Sequence, residues 1–251
     1  MKNENLYQYI LEIADNSLIL GQRLGELCGH GPNLETDIAC TNISLDVLGQ
    51  VRSYYQYAAK IAGDGRTEDD IAMLRQEREY LNVLLVEQPN TDFGYTMARQ
   101  FLFDVYHLLF LTELQKSKDL TLSAIASKSV KEVSYHQRFS SDWIKRLGDG
   151  TDESHERIQN AINDLWTYTD ELFHETEANK AMIKEGIGVD VTKLKTTYYE
   201  TLKSVLEEAT LSVPESKYFQ KGGKQGIHTE HMGYLLAELQ YMQRAYPDME
   251  W

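Results

Sequence analysis

Apolar residues recur at helical spacing along most of the chain, and the intervals between them are short and polar. Over residues 6–27, Leu6, Ile10, Ser17, Leu20, Leu24 and Leu27 share one stripe, which predicts a first helix ended by CGHGPN. Asp15 and Glu26 lie off that stripe and read as solvated. Residues 34–62 predict a second helix, with Ile38, Leu45, Leu48 and Tyr55 turned inward. Gly49 sits beside that stripe; a mid-helix glycine costs about 1 kcal/mol relative to alanine, so a close backbone approach is expected there. After the loop AGDGRTEDD, residues 71–86 read as a shorter amphipathic helix that stops before Gln88-Pro89-Asn90. Residues 91–118 form the third core helix, with Asp92 as its candidate cap and Met97, Phe101, Asp104, Leu108 and Leu111 on its stripe. Residues 120–147 form the fourth, with Ile125, Ser129, Glu132, His136, Phe139 and Trp143 inward. Helices over 154–184, 192–210 and 229–246 complete an all-α chain. No solenoid period or low-complexity linker divides it, so one domain over 1–251 is expected.

Three titratable residues fall within these apolar faces. Asp104 needs a partner, because an isolated buried charge costs several kcal/mol or shifts until neutral. Glu132 and His136 share the stripe of the fourth helix. Bundles that hold two metals place Glu-x-x-His on each of two helices and one Glu on each of the other two. In VKEVSYHQRF the residue three after Glu132 is Tyr135, and the residue three before His136 is Val133. In LDVLGQ, Asp46 is followed at the same offset by Gly49, which cannot ligate. Either Asp46, Asp104, Glu132 and His136 form a reduced carboxylate metal site, or they form a buried cluster of hydrogen bonds and ion pairs involving Asp104 or Arg52. The incomplete ligand set favours the cluster.

Composition narrows the partners. A net charge of −14 argues against nucleic acid, whose phosphates need a basic face. The N-terminus has no apolar core of signal-peptide length, and no run approaches the roughly 20 apolar residues of a membrane span. Cys28 and Cys40 lack redox or metal spacing and read as reduced core residues of a cytoplasmic protein. The one locally basic stretch is 212–226, SVPESKYFQKGGKQG, where Lys217, Lys221 and Lys224 beside conformationally free glycines suit contact with phosphate. It lacks the Walker order. His228 and His231 have zinc-like spacing without a supporting third ligand. Tyr54, Tyr57 and Trp251 are candidate interface aromatics.

The stretches NSLILGQRLGELCGHGPNLETDIACTNISLDVLGQVRSYYQYAA, LLVEQPNTDFGYTMARQFLFD, KEVSYHQRFSSDWIKRLGDGT and KGGKQGIHTEHMGYLLAELQYMQR closely resemble the structural (PaaC-type) subunits of the phenylacetyl-CoA epoxidases. The resemblance covers nearly the whole chain. It implies a ferritin-like four-helix bundle core with additional C-terminal helices. It also implies a place in a multicomponent bacterial monooxygenase that converts phenylacetyl-CoA to its ring 1,2-epoxide with O2 and reductase-supplied electrons. Di-iron is then expected in a related catalytic subunit, and no cofactor in this chain. The expected role is a non-catalytic, cytoplasmic partner that holds the catalytic subunit, meets phenylacetyl-CoA only indirectly, and pairs further through a small bridging subunit.

Overall fold

The computed structural model describes residues 2–247 and 249, and among them there is no strand. The helices are α1 (Lys2–Glu26), α2 (Leu34–Ala62), α3 (Glu68–Met73), α4 (Leu84–Glu87), α5 (Phe93–Leu114), α6 (Leu120–Gly148), α7 (Asp152–Trp166), α8 (Glu177–Glu185), α9 (Lys195–Glu208), α10 (Glu230–Leu239) and α11 (Tyr241–Ala245). No helix among the described residues is long and apolar enough to cross a membrane. The described residues fall into two compact units: one takes the chain up to Glu87 together with the part from Gly222 on, the other is Gln88–Lys221.

In the first unit, α1 and α2 form a tightly packed hairpin. Asn33 caps α2 by accepting from the Thr36 amide at 2.9 Å. The closest approach uses small side chains. Ser44 Oγ donates to the Gly21 carbonyl at 2.7 Å, and a Cβ on Gly21 would meet Val47 and Leu48 at 3.0 Å. The buried face of α2 is therefore Cys40, Ile43, Ser44, Val47, Gln50, Val51, Tyr54, Tyr55 and Ala58. This corrects the expected stripe: Ile38 is 50 % exposed and Leu45 61 % exposed. Ile38 and Leu45 lie outward because the close approach at Gly21 turns Ser44 and Val47 toward α1. Gly49 is exposed, and a Cβ there would meet nothing within 4 Å, so no backbone approach explains it. Of the candidate interface aromatics, Tyr54 is buried, Tyr57 is half-buried, and Trp251 lies outside the described residues. Cys40 is buried as expected, whereas Cys28 is exposed just past the end of α1.

Residues 71–86 do not make one helix. They run through the end of α3, an extended stretch broken by a 3-10 turn at Glu77–Glu79, and α4. An extended segment needs external acceptors for its amides, and α1 supplies them. Asp15 accepts from the Leu81 amide at 2.8 Å, and Asn16 accepts from the Val83 amide at 2.8 Å. This is why Asp15, expected in solvent, is 0 % exposed.

In the second unit, α5 and α6 form the other hairpin. Asp92 caps α5 by accepting from the Tyr95 amide at 2.7 Å, as its position suggested. Asp119 caps α6 by accepting from the Thr121 and Leu122 amides. The buried face of α6 is Leu122, Ala126, Ser129, Val133, His136, Ser140, Ser141, Ile144 and Gly148. It is rotated by about one residue from the expected stripe, toward the smaller side chains, leaving Ile125, Glu132, Phe139 and Trp143 half-buried on its flank. The expected helix over 154–184 divides into α7, a 3-10 turn at Asp170–Phe173 and α8, which Thr176 starts by accepting from the Asn179 amide at 3.1 Å. Within this unit α9 docks on α5, where Tyr198 donates to the Leu102 carbonyl at 2.9 Å.

Candidate functional site

The inner seam of α5 and α6 holds a polar row, and it is the place where ligand-type side chains meet apolar packing. Gln100, Asp104 and His107 follow one another at helical spacing on α5, and His136 and Ser140 do so on α6; all five are buried. Asp104 accepts from Gln100 Nε2 at 2.7 Å through one oxygen and from Ser140 Oγ at 2.9 Å through the other. Ser140 Oγ also lies 3.0 Å from the His136 carbonyl. Neither of these donors to Asp104 is charged. Burial therefore dominates and pushes the Asp104 carboxyl up to about 8, although both hydrogen bonds pull the other way. His107 is pushed down to about 3, by burial first and then by the neighbouring His136. At neutral pH this seam holds a protonated Asp104 and an uncharged His107.

The sequence-derived candidates separate in space. Asp104 and His136 are in this seam. Glu132 is half-buried on the flank of α6, and Tyr135, the residue at the histidine offset from it, is 39 % exposed. Asp46 is half-buried on α2, with exposed Gly49 at the corresponding offset. Both broken Glu-x-x-His slots thus face away from the packed side of their own hairpins. Arg52 is exposed and pairs with Glu68 at 3.5 Å, so it is not the counter-charge of Asp104. Among the described residues no three His, Cys, Asp or Glu side chains converge as metal ligands would. A di-iron centre needs a shell of carboxylates and imidazoles. Asp104, with both oxygens occupied by the neutral donors Gln100 and Ser140, does not fit that requirement.

Sequence reasoning missed three members of the row. Asp104-x-x-His107 is itself a carboxylate–imidazole pair at one-turn spacing, legible in FDVYH. Gln100 and Ser140 were also findable, each four residues from a polar core position. Of the loop lysines, Lys217 and Lys221 are exposed, whereas Lys224 is only 7 % exposed. His228 and His231 do not act as a pair, because His228 turns to Glu87 at 2.7 Å and the Tyr80 carbonyl at 3.0 Å.

The first unit holds two polar centres of a different kind. Arg75 pairs with Asp15 through contacts of 2.6 and 2.9 Å, lies 2.8 Å from the Tyr55 hydroxyl, and stacks on the Tyr80 ring at 4.1 Å. Glu87, also fully buried, accepts from Asn82 Nδ2, the Thr229 amide and the Thr229 hydroxyl, while Arg23 donates to its carbonyl.

Comparison with known proteins gives this arrangement a family. Residues 1–251 match the family described as phenylacetic acid catabolic protein. The chain belongs to it. The phenylacetic acid catabolic fold is all-α and ferritin-like, as the resemblance implied. Within the family, the chain is 49 % identical over 246 residues to a protein of Escherichia coli (strain K12) named as a subunit of 1,2-phenylacetyl-CoA epoxidase, the one designated C. The match covers 98 % of this chain and 99 % of that relative.

Proposed function

We propose that this chain is the non-catalytic structural subunit of a phenylacetyl-CoA epoxidase, and that it stabilises a separate di-iron catalytic subunit of related fold. The end-to-end 49 % identity with a protein named as a subunit of that epoxidase carries the reading. Two features of the molecule support it. The polar seam retains Asp104 and His136 but occupies the carboxylate with Gln100 and Ser140. The outer face of α2 presents Leu34, Ile38 and Leu45 to solvent, apolar surface of the kind a partner covers. The reading places the complex in the cytoplasm, with a small bridging subunit joining such pairs.

Gel filtration of this chain co-expressed with the catalytic subunit tests it. The expected result is co-elution at micromolar concentration, with iron measured in the catalytic subunit and only traces in this chain purified alone. Separate elution overturns the structural role. Near-stoichiometric iron or manganese in the isolated chain would instead support a carboxylate metal enzyme built on Asp46, Asp104, Glu132 and His136. The same assembled complex tests the basic segment. We assign the exposed Lys217 and Lys221 to the CoA phosphates, with Lys224 serving the loop from its buried position. Charge reversal of Lys217 and Lys221 is expected to raise KM for phenylacetyl-CoA, and an unchanged KM removes that assignment.

A further inference from the structure

The segment from Gly222 into α10 closes the first unit by lying against residues 77–87. Its loop is fitted by backbone contact. A Cβ on Gly223 would sit 2.1 Å from the Asn82 carbonyl, and one on Gly226, at φ +71°, would sit 2.2 Å from the Arg78 carbonyl. At the end of that loop His228 reaches inward, with a side chain that is 0 % exposed against an equally buried Glu87. Its two ring nitrogens meet two acceptors: Nδ1 is 2.7 Å from Glu87 Oε1, and Nε2 is 3.0 Å from the Tyr80 carbonyl oxygen. A neutral imidazole has one N–H and one lone pair, so it can satisfy only one of two acceptors. The other Glu87 oxygen accepts from the Thr229 amide at 3.0 Å and from its hydroxyl at 2.7 Å. The pocket is therefore complete only when the pair holds the extra proton.

We propose that the His228 imidazolium, clamped between the Glu87 carboxylate and the Tyr80 carbonyl, is a proton-operated latch that seats the C-terminal segment from Gly222 through α10. Deprotonation turns one ring lone pair onto an oxygen in a site closed to water, and the segment lifts. The charged groups around the latch act in the same sense. Glu87 on α4 and Glu77 on the 3-10 turn both favour the proton, while burial alone opposes it. Arg23 from α1 engages the Glu87 carbonyl rather than its carboxylate. On the latch's own segment, Lys224 is buried in the loop, and Glu230 and His231 follow at the start of α10, exposed and half-buried respectively. The net direction for His228 is upward from its ordinary value near 6.5. The latch is thus closed below about 6.5 and opens as pH rises through the elevated value.

Hydrogen exchange of the full chain, corrected for intrinsic rates, tests this across pH 6–9. The amides of 222–239 are expected to lose protection, by up to about tenfold per pH unit, as pH rises from about 6.5 through the titration of the latch, and to level off above it, while α2 provides the internal reference. His228→Gln should expose the same amides at every pH, with no slope. Protection of 222–239 that does not change with pH, or a His228→Gln slope equal to that of the unsubstituted chain, overturns the proposal. Nitrogen chemical shifts of the His228 ring in the unsubstituted protein decide the matter even if the variant does not fold. Two protonated ring nitrogens at pH 6 are expected, and a single neutral tautomer at that pH sinks the latch.

Discussion

Two buried aspartates show how differently the two hairpins handle a carboxylate in a helix. Asp15 on α1 faces a guanidinium at 2.6 Å, a tyrosine hydroxyl and a backbone amide. Asp104 on α5 faces an amide side chain and a serine hydroxyl. The first is held by charge and works for the fold, because it fastens the extended 74–83 segment to α1. The second is held by neutral donors, keeps its proton to about 8, and serves the α5–α6 seam alone. A buried ion pair is costly to break from one side, since the survivor is left charged in a poor solvent. A neutral, hydrogen-bonded acid is cheap to replace by its amide.

The largest effect should come from breaking the first arrangement. Arg75→Met removes the counter-charge of Asp15 together with the Arg75 bonds to the Ile71 and Glu79 carbonyls. Loss of one partner of a buried pair costs about 3–5 kcal/mol, to be read from the urea midpoint at pH 7. Adding Asp15→Leu should recover part of that loss, because the stranded carboxylate is gone. A loss under about 1 kcal/mol for Arg75→Met would erase the contrast between the two regions.

Asp104→Asn is the matching change in the second unit, and its signature is a slope. The folded protein holds the Asp104 proton up to about 8, whereas the unfolded chain releases it near the ordinary 3.8. The stability conferred by the neutral acid is therefore complete below that ordinary value and is lost as pH rises to about 8. His107 runs the other way: its neutral burial stabilises above about 6.5, and that stability is lost as pH falls toward about 3. The two slopes oppose each other at acid pH; from about 6.5 to 8 His107 no longer contributes, and the His228 titration is common to both proteins and cancels in their comparison. There the unsubstituted chain should lose up to about 1.4 kcal/mol per pH unit relative to Asp104→Asn. Parallel stability curves for the two proteins would show that Asp104 is ionised in the fold.

These contrasts also explain what could be read in the sequence. The long helices were legible because their apolar spacing and their caps, Asp92 and Asp119, are local properties. The side of the helix that turns inward was less so. In α6 the packed face carries the smaller residues, and in α2 the close approach at Gly21 turns Ser44 and Val47 inward, so a reading weighted toward Ile38, Leu45, Phe139 and Trp143 missed the packed face by about one position. Segment 71–86 was misread because its fate depends on acceptors more than 60 residues away, Asp15 and Asn16, which no local pattern reports. Asp104 was recognised as needing partners, but its partners are neutral and one lies 36 residues on, in α6. The Glu-x-x-His slots were inferred from spacing alone, and Gly49 and Tyr135 fall on outward faces. The offset from the carboxylate was legible and the rotation of the helix was not.

Gly49 gives the smallest effect and the sharpest check on that rotation. It occupies the middle of α2, on the side away from α1, where an added Cβ meets nothing within 4 Å. Alanine there keeps the helix and removes backbone freedom from the unfolded chain, a gain of about 0.5–1 kcal/mol. Gly49→Ala should accordingly raise the urea midpoint of the isolated chain without changing its m-value. A destabilising alanine would mean that position 49 meets a neighbour after all, and that the packed face of α2 is nearer to the Ile38–Leu45 stripe. Because the effect is one of backbone propensity on an open face, it should be the same at pH 6 and pH 8, unlike that of Asp104→Asn.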